Sequence, residues 1–425
     1  MSNSLTEDTK ATILLFGVFG KARSEKPLSL REYTSLVRWL VKVDLRPKDL
    51  LYKDNVSEAS IGANIDHQRL VSLLGRGVQL GFAVEEWQQA GIWIISRSDS
   101  DYPTRYKKHL KDKSPPLLFG IGNRSLLNEG GLSIVGSRNV DKVGESFTRH
   151  VAQICADNRL PVISGGARGV DQTSMDAVLE AGGKSVGVLA DSLLKKSLER
   201  STRHAISDER LLLISPYNPS AGFNVGNAMG RNKLIYALSD YCLVVSADHK
   251  KGGTWAGAEE ELKRENALPV FVRIGGNVPL GNTKLIEMGA IIWPSHIESS
   301  NFKQKLHDSI SECGEKPLQQ NLSLFESNVS EGITNVEMSF LANESIEVET
   351  LVADKKFDRQ HESVSIYELV MPVILNELDS PLTSSQLAEV LDINTTQLNI
   401  WLKQAVEDQK VVKLFKPVRY QKAKP

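Results

Sequence analysis

Cysteine is scarce in this chain: there are three in 425 residues, Cys155, Cys242 and Cys313, with no CxxC pair. That spacing supports neither a disulfide framework nor a thiolate zinc site, and Cys155 and Cys242 read as small buried hydrophobes. The eight histidines form no HExxH or HxH cluster, so no dedicated metal site is expected. Apolar runs stay well short of the ~20 residues that span a bilayer. Met1 to Lys10 is polar and acidic, unlike a secretion signal. A cytoplasmic protein without a membrane partner is expected. An excess of positive charge is also missing, with net charge −1 and pI about 6.7. This excludes a protein that coats duplex DNA by bulk charge, but leaves room for a local basic groove.

What is present is a large soluble chain, 41% hydrophobic and 24% charged. Its length predicts two to four domains. Residues 10–95 carry helical spacing, and Ser29-Leu30-Arg31-Glu32 reads as a capping box before Tyr33, Leu36, Val37 and Leu40. Leu73-Leu74-Gly75-Arg76-Gly77 reads as a helix cap, with a turn touching a DNA backbone as the alternative. We delimit an N-terminal helical domain at 1–95 and an α/β core at 96–298. In the core, apolar runs at 132–135, 160–163, 185–189, 211–214, 241–245, 270–272 and 291–293 alternate with helical stretches. That alternation predicts a parallel sheet with helices on its faces. Residues 299–363 are rich in Ser, Asn, Gln and acidic side chains and read as a flexible linker. Residues 364–425 regain periodicity, with capping boxes at Thr383–Gln386 and Asn394–Gln397 and a hairpin pattern from Val411 to Tyr420. Helix–turn–helix followed by a hairpin is a winged-helix pattern. Its tail is basic, with Lys410, Lys413, Lys416, Arg419, Lys422 and Lys424.

The chemistry concentrates in four short pieces of the core. Gly136-Ser137-Arg138 ends the first strand of the alternating series. Backbone N–H groups, the Ser137 hydroxyl and the Arg138 guanidinium there can grip an anion. Ser164-Gly165-Gly166-Ala167-Arg168-Gly169-Val170-Asp171 sets three glycines around one arginine at a strand end. Such a loop admits a phosphate, and Asp171 is expected to cap the following helix. Gly230-Arg231-Asn232-Lys233 adds two positive charges and an amide. Lys251-Gly252-Gly253-Thr254 opens a further helix, and Trp255 after it either stacks a base or packs under the loop. Loops of this kind share the edge outside the carboxyl ends of a parallel sheet.

These motifs, in this order, resemble the DNA-processing protein A family (DprA, also called Smf). Asp101-Tyr102-Pro103 and Pro115-Pro116-Leu117-Leu118-Phe119-Gly120 resemble the segment before its core. The resemblance covers roughly residues 96–294 and, more weakly, the C-terminal module. It implies an extended Rossmann-like core that binds single-stranded DNA, protects it and helps load a RecA-type recombinase during DNA uptake. It implies a homodimer through that core, no cofactor and no catalysis. The contacting residues carried over are Ser137, Arg138, Ser164, Gly165, Gly166, Arg168, Gly169, Arg231, Asn232, Lys233, Gly252, Gly253 and Thr254, with Asp171 as helix cap. A protein partner at the winged helix is a further expectation. The chain departs from the family where Leu211–Ser215 runs into Pro216-Tyr217-Asn218-Pro219, and in its Gly-Gly-Thr-Trp loop.

Two other readings stand beside this one. In the first, the cradle senses a signalling nucleotide, as in a regulator or antitoxin-like protein of a mobile-element or phage-defence system. In the second, the chain is a nucleoside monophosphate phosphoribohydrolase-like enzyme. There Arg168 and Glu259 would form the working pair, although no proline leads the Gly252–Glu259 loop.

Overall fold

The computed structural model describes residues 5–20, 25–314, 366–391, 395–415 and 418–423. Five helices come first: α1 (Glu7–Phe16), α2 (Leu30–Lys42), α3 (Lys53–Ala63), α4 (His67–Leu74) and α5 (Gly77–Gln89). The capping box at Ser29 forms in full. Glu32 N–H donates to the Ser29 hydroxyl and Ser29 N–H to the Glu32 carboxylate. Gly75 caps the end of α4, and Arg76 turns inward onto the carbonyls of Leu14 and Gly17 and over the Phe19 ring. The helix-cap reading of that segment therefore holds, since its one arginine is spent inside the fold.

The core follows as β1 (Trp93–Ser96), α6 (Thr104–Leu110), β2 (Leu117–Gly122), β3 (Leu132–Gly136), α7 (Lys142–Asp157), β4 (Val162–Ser164), α8 (Val170–Glu180), β5 (Ser185–Val188), α9 (Leu193–Ser197), α10 (Arg200–Ser207), β6 (Leu211–Ser215), α11 (Val225–Leu238), β7 (Tyr241–Ser246), α12 (Gly252–Leu262), β8 (Val270–Val272), α13 (Leu280–Glu287), β9 (Ile291–Ile292) and α14 (Phe302–Gly314). The nine strands form one sheet in the order β1-β2-β6-β5-β4-β3-β7-β8-β9. From β6 to β9 all pairs are parallel, as the alternation predicts. The exception is β2, which lies antiparallel between β1 and β6. The chain builds outward from β3 to β6, then returns through α11 to place β7 on the other side of β3. That reversal makes β3/β7 the topological switch point, where open α/β sheets leave a crevice.

Alternate residues of each strand feed the two faces. Leu212, Ile214, Val186, Val188 and Val244 pack under α6, α11, α12 and α13. Leu211, Leu213, Phe119 and Ile121 face the other way, together with Ile13 and Leu14 of α1 and Leu80, Val84 and Trp87 of α5. The N-terminal helices therefore cover the sheet and share its apolar interior. At the other end, Phe302 and Leu306 of α14 are buried in the layer that holds Trp293 and Phe271. α14 thus packs on the core although it begins beyond residue 298. The polar composition of α14 hides a short apolar stripe at Phe302, Leu306 and Ile310.

The rest of the acidic linker, 315–363, lies outside the described residues, as do residues 364 and 365. So do Asn394 of the second C-terminal capping box, and Lys416, Pro417 and Lys424. The C-terminal module contains α15 (Ile366–Glu377), α16 (Ser384–Val390), α17 (Thr395–Glu407), β10 (Val411–Leu414) and β11 (Arg419–Lys422), the last two forming an antiparallel hairpin. The Thr383–Gln386 capping box is present. The module rests on α5, where the Phe82 and Trp401 rings lie 4.3 Å apart and Val78 joins the contact. Among the described residues no helix is long and apolar enough to cross a membrane.

Candidate functional site

A cavity of about 380 Å³ opens at the switch point. Its floor is the end of β3 with Gly136, Ser137 and Arg138, and its far wall is Ser246 to Thr254 after β7. Its near wall is the first half of α11, with Met229, Arg231, Asn232 and Ile235. A lip is formed by Phe223, just before that helix, and Val225, its first residue.

The far wall is built to take a negative group. α12 begins at Gly252, and its N-cap, Lys251, offers no side-chain acceptor to the first turn. By contrast, Asp141 and Asn224 cap α7 and α11 with their side chains. The leading N–H groups of α12 are thus left without a capping side chain at the positive end of the helix dipole. Gly252 enters at φ +73°, a left-handed conformation that favours glycine. Arg138 and Lys251 are exposed at the mouth.

Several predicted contact residues act inside the protein instead. The Ser164 hydroxyl is buried and donates to the Ile134 carbonyl at 2.6 Å, tying β4 to β3. Asn232 Nδ2 donates to the Gly253 carbonyl at 2.9 Å, and Thr254 Oγ1 to the Gly136 carbonyl at 3.0 Å. These two bonds hold the walls of the cavity at a fixed separation. Arg231 is only 5% exposed, at the cavity's inner end. Its Nη1 lies 3.9 Å from Asp171 Oδ2, and neither Nη1 nor Nε has a hydrogen-bond partner. Burial lowers the Arg231 pKa, and Asp171 opposes that shift.

Asp171 does not cap its helix. α8 starts at Val170 with Gly169 as N-cap, so Asp171 sits inside the first turn. Its buried carboxylate receives backbone N–H groups of Gly136, Ala167 and Gly165, which joins the β3 and β4 loops to α8. Burial raises its pKa, with Arg231 and those N–H groups acting against the rise. Gly165 is required by proximity: a Cβ there would fall 1.4 Å from Arg231 Nη1.

Arg168 and Gly169 line a separate shallow groove with Arg138, Asn139 and Asp141, outside the main cavity. Arg168 Nη2 donates to Asn139 Oδ1 at 2.6 Å. Gly166 borders neither hollow, and it packs toward Leu189. Lys233 does not border the cavity, and its ammonium is within electrostatic reach of Glu260, Lys113 and Arg264. Trp255 is buried, stacks on His249 with ring centroids 4.7 Å apart, and donates to Glu259 at 2.9 Å, so it packs under its loop. Glu259 is held by Trp255 and Lys263 and does not border the cavity, so Arg168 and Glu259 are not assembled there as a pair. Among the described residues no three His, Cys, Asp or Glu side chains are placed to hold a metal.

Phe223 was missing from the sequence-level candidates. It is 58% exposed on the lip, and the Arg138 guanidinium lies 5.2 Å from its ring centroid. Val225 and Met229 beside it are also exposed. The available signal was Phe223 in a polar Gly/Asn loop directly before α11, with Val225 at the helix start.

A doubly wound sheet with a glycine-lined crevice at its switch point defines the class of protein. The DNA recombination-mediator protein A family matches residues 93–302. Residues 93–302 thus form a core of the DprA/Smf family. The DNA processing protein DprA of Bacillus subtilis is 29% identical over 217 residues, 49% of this chain and 70% of that protein. Protein Smf of Escherichia coli is 30% identical over 236 residues, 53% of this chain and 63% of that protein. The X-ray structure of DprA from Streptococcus pneumoniae superposes with a TM-score of 0.54 at 22% identity, over 68% of this chain and 95% of that one. That structure shares the fold. The match to the Escherichia coli protein spans less than two thirds of its length.

Proposed function

We propose that the chain binds single-stranded DNA at the β3/β7 cradle and acts as a recombination mediator of the DprA type. The observation that carries this reading is the side-chain-uncapped start of α12, with Lys251 beside it and Arg138 facing it in a cavity with an apolar lip. A phosphate suits the helix N-terminus and the two cations. An unpaired base suits the aromatic lip. A duplex offers its phosphates but keeps its base faces stacked, which favours the single strand. Binding without turnover is the corresponding expectation, in keeping with a family described as recombination mediators. Protection of the strand, loading of a RecA-type recombinase, a homodimer through the core and a cytoplasmic location belong to the same proposal. So do the winged-helix reading of residues 366–423 and a DNA or protein partner for it. The contacting residues under this reading are Ser137, Arg138, Lys251, Gly252, Gly253 and Phe223, with Arg231 and Asp171 as the buried support.

The cavity's size favours one second reading. About 380 Å³ falls within the range of small-ligand pockets, so a mononucleotide sensor fits the same cradle. The deciding experiment is fluorescence anisotropy with labelled poly-dT, titrated with salt, for wild type and Arg138→Ala. Tight, salt-sensitive binding that weakens about tenfold or more in the variant supports the DNA reading. Absence of binding at low salt, with saturable binding of a mononucleotide, would replace it with the sensor.

A further inference from the structure

A second cationic surface lies on the same edge of the sheet as the cradle. Ser96, the end of β1, pairs with Leu117, the start of β2. Phe119 of β2 pairs with Ser215, the last residue of β6. Both ends of the connection 97–116 therefore emerge at the carboxyl edge of the parallel strands, where the glycine loops also lie. This connection carries α6 and the turn after it, with Tyr106 and Leu110 buried and Lys107, Lys108, Lys111 and Lys113 exposed.

The four lysines are not neutralised locally. None of them ion-pairs with a described carboxylate, although Lys107 lies over the Tyr102 ring. The nearby acids are already engaged: Asp112 with Arg38, Glu261 with His109 and Arg264, and Glu260 with Arg264. Lysines in the last turn of a helix complement its dipole, which accounts for Lys107 and Lys108. It does not account for Lys111 and Lys113, which lie beyond the helix. Lys233 connects this surface to the cradle, because α11 carries Arg231 and Asn232 in the cavity wall and Lys233 within electrostatic reach of Lys113. Burial lowers the Lys233 pKa. Glu260 opposes that shift, and the charges of Lys113 and Arg264 add to it. The ammonium therefore sits among like charges, where a polyanion would relieve the repulsion.

We propose that Lys107, Lys108, Lys111, Lys113 and Lys233 form a track for the phosphate backbone of a single strand as it leaves the cradle. The proposal rests on the single-strand reading above and adds to it a direction and a length. A strand confined to the cradle uses Arg138 and Lys251 alone. A longer strand crosses α11 and continues along α6.

The test compares a poly-dT of about six nucleotides with one of about twenty, the first near the lower end of common single-strand site sizes and the second beyond the upper end. Both are titrated with salt against full-length wild type, a Lys107→Gln/Lys108→Gln/Lys111→Gln/Lys113→Gln variant, and Arg138→Ala. A Lys303→Gln/Lys305→Gln variant on α14, across the sheet, controls for bulk charge, and thermal melts check folding. The lysine variant should bind the short strand as wild type does and the long strand at least fivefold more weakly. Its salt slope on the long strand should drop by about 0.7 for each phosphate that the lysines no longer neutralise. Arg138→Ala should weaken both lengths. Equal weakening on both lengths, no weakening on either, or the same effect from the α14 control would overturn the track while leaving the cradle reading intact. If wild type binds neither length, both readings fall together. If the fourfold variant unfolds, Lys111→Glu/Lys113→Glu serves the same comparison, since both side chains are exposed beyond α6.

Discussion

Arg231 and Asp171 face each other 3.9 Å apart beneath the Gly165 loop, both largely withdrawn from water. Asp171 gathers N–H groups from two loops, and Arg231 brings in the helix that walls the cavity. The pair fixes the geometry of the cradle. Its pKa shifts show the cost of burial, since the acid is pushed up and the base down. Asp171→Asn leaves a buried guanidinium without its counter-charge and should cost about 3 kcal/mol. Adding Arg231→Met should recover part of that loss. Urea unfolding of the two singles and the double measures this, and strictly additive losses would show that the residues do not act as a pair.

A methyl group at residue 165 has no room. Gly165→Ala must displace the Arg231 guanidinium, and should destabilise the protein by about 1–3 kcal/mol. Thermal melts report the loss. An unchanged melting temperature would mean that Arg231 swings away freely.

Phe223 offers the lip an aromatic face already in contact with Arg138. Phe223→Ala should weaken poly-dT binding by about five- to a hundredfold, and Phe223→Trp should retain it. An abasic strand of equal length should be insensitive to both changes. Equal sensitivity of the abasic strand would assign Phe223 to the fold instead of to a base.

The N-terminal helices contain a pH-dependent brace. Glu32 accepts from Arg69 at 2.7 and 3.3 Å, and Arg69 also reaches the Lys26 and Pro27 carbonyls. The Arg69 bonds hold the Glu32 carboxyl down at about 2, below the usual 4.5. A carboxylate depressed in the folded state stabilises it above the ordinary value and loses that effect as pH falls toward the folded one. Glu32→Gln should therefore cost about 1 kcal/mol at neutral pH and progressively less from about pH 4.5 downward. Denaturant midpoints across that window test this, and a loss independent of pH would rule out the ionic contribution.

Contact between Phe82 and Trp401 holds the C-terminal module to α5. Phe82→Ala should make that module more susceptible to limited proteolysis while the core melt moves by less than about 2 kcal/mol, as for a half-buried aromatic. An unaltered cleavage pattern would show that the docking depends on other side chains.

Much of the core was legible because its strands are short apolar runs spaced by stretches long enough for a helix. The direction of β2 was not. A strand's apolar pattern reads the same in either sense, and only its pairing with Leu212–Ser215 of β6 reveals the reversal. The site was legible as a place but less so residue by residue. Arg231, Asn232 and Lys233 are consecutive on a helix, and each step turns the side chain by about 100°. One cluster of three polar residues thus sends a guanidinium inward, an amide to Gly253 and an ammonium to within electrostatic reach of Lys113. Ser164 and Asp171 sit in a segment that reads as phosphate-binding, but the Ile134 carbonyl of β3 takes the Ser164 hydroxyl, and backbone N–H groups of Gly136, Gly165 and Ala167 take the Asp171 carboxylate. Phe223 gave no such signal, because an isolated aromatic in a loop has no periodic pattern.

The apolar layer shared by sheet and flanking helices sets practical limits on dissecting the protein. An expression fragment cut at residues 93 and 302 would strip α1 and α5 from Phe119, Ile121, Leu211 and Leu213, and α14 from Trp293. Such a piece would carry the whole cradle and still tend to precipitate, because two greasy flanks would be left open to solvent. A soluble fragment has to begin before Glu7 and end after Gly314. Failure of a shorter one to bind DNA would then reflect its insolubility and not the chemistry of the cradle.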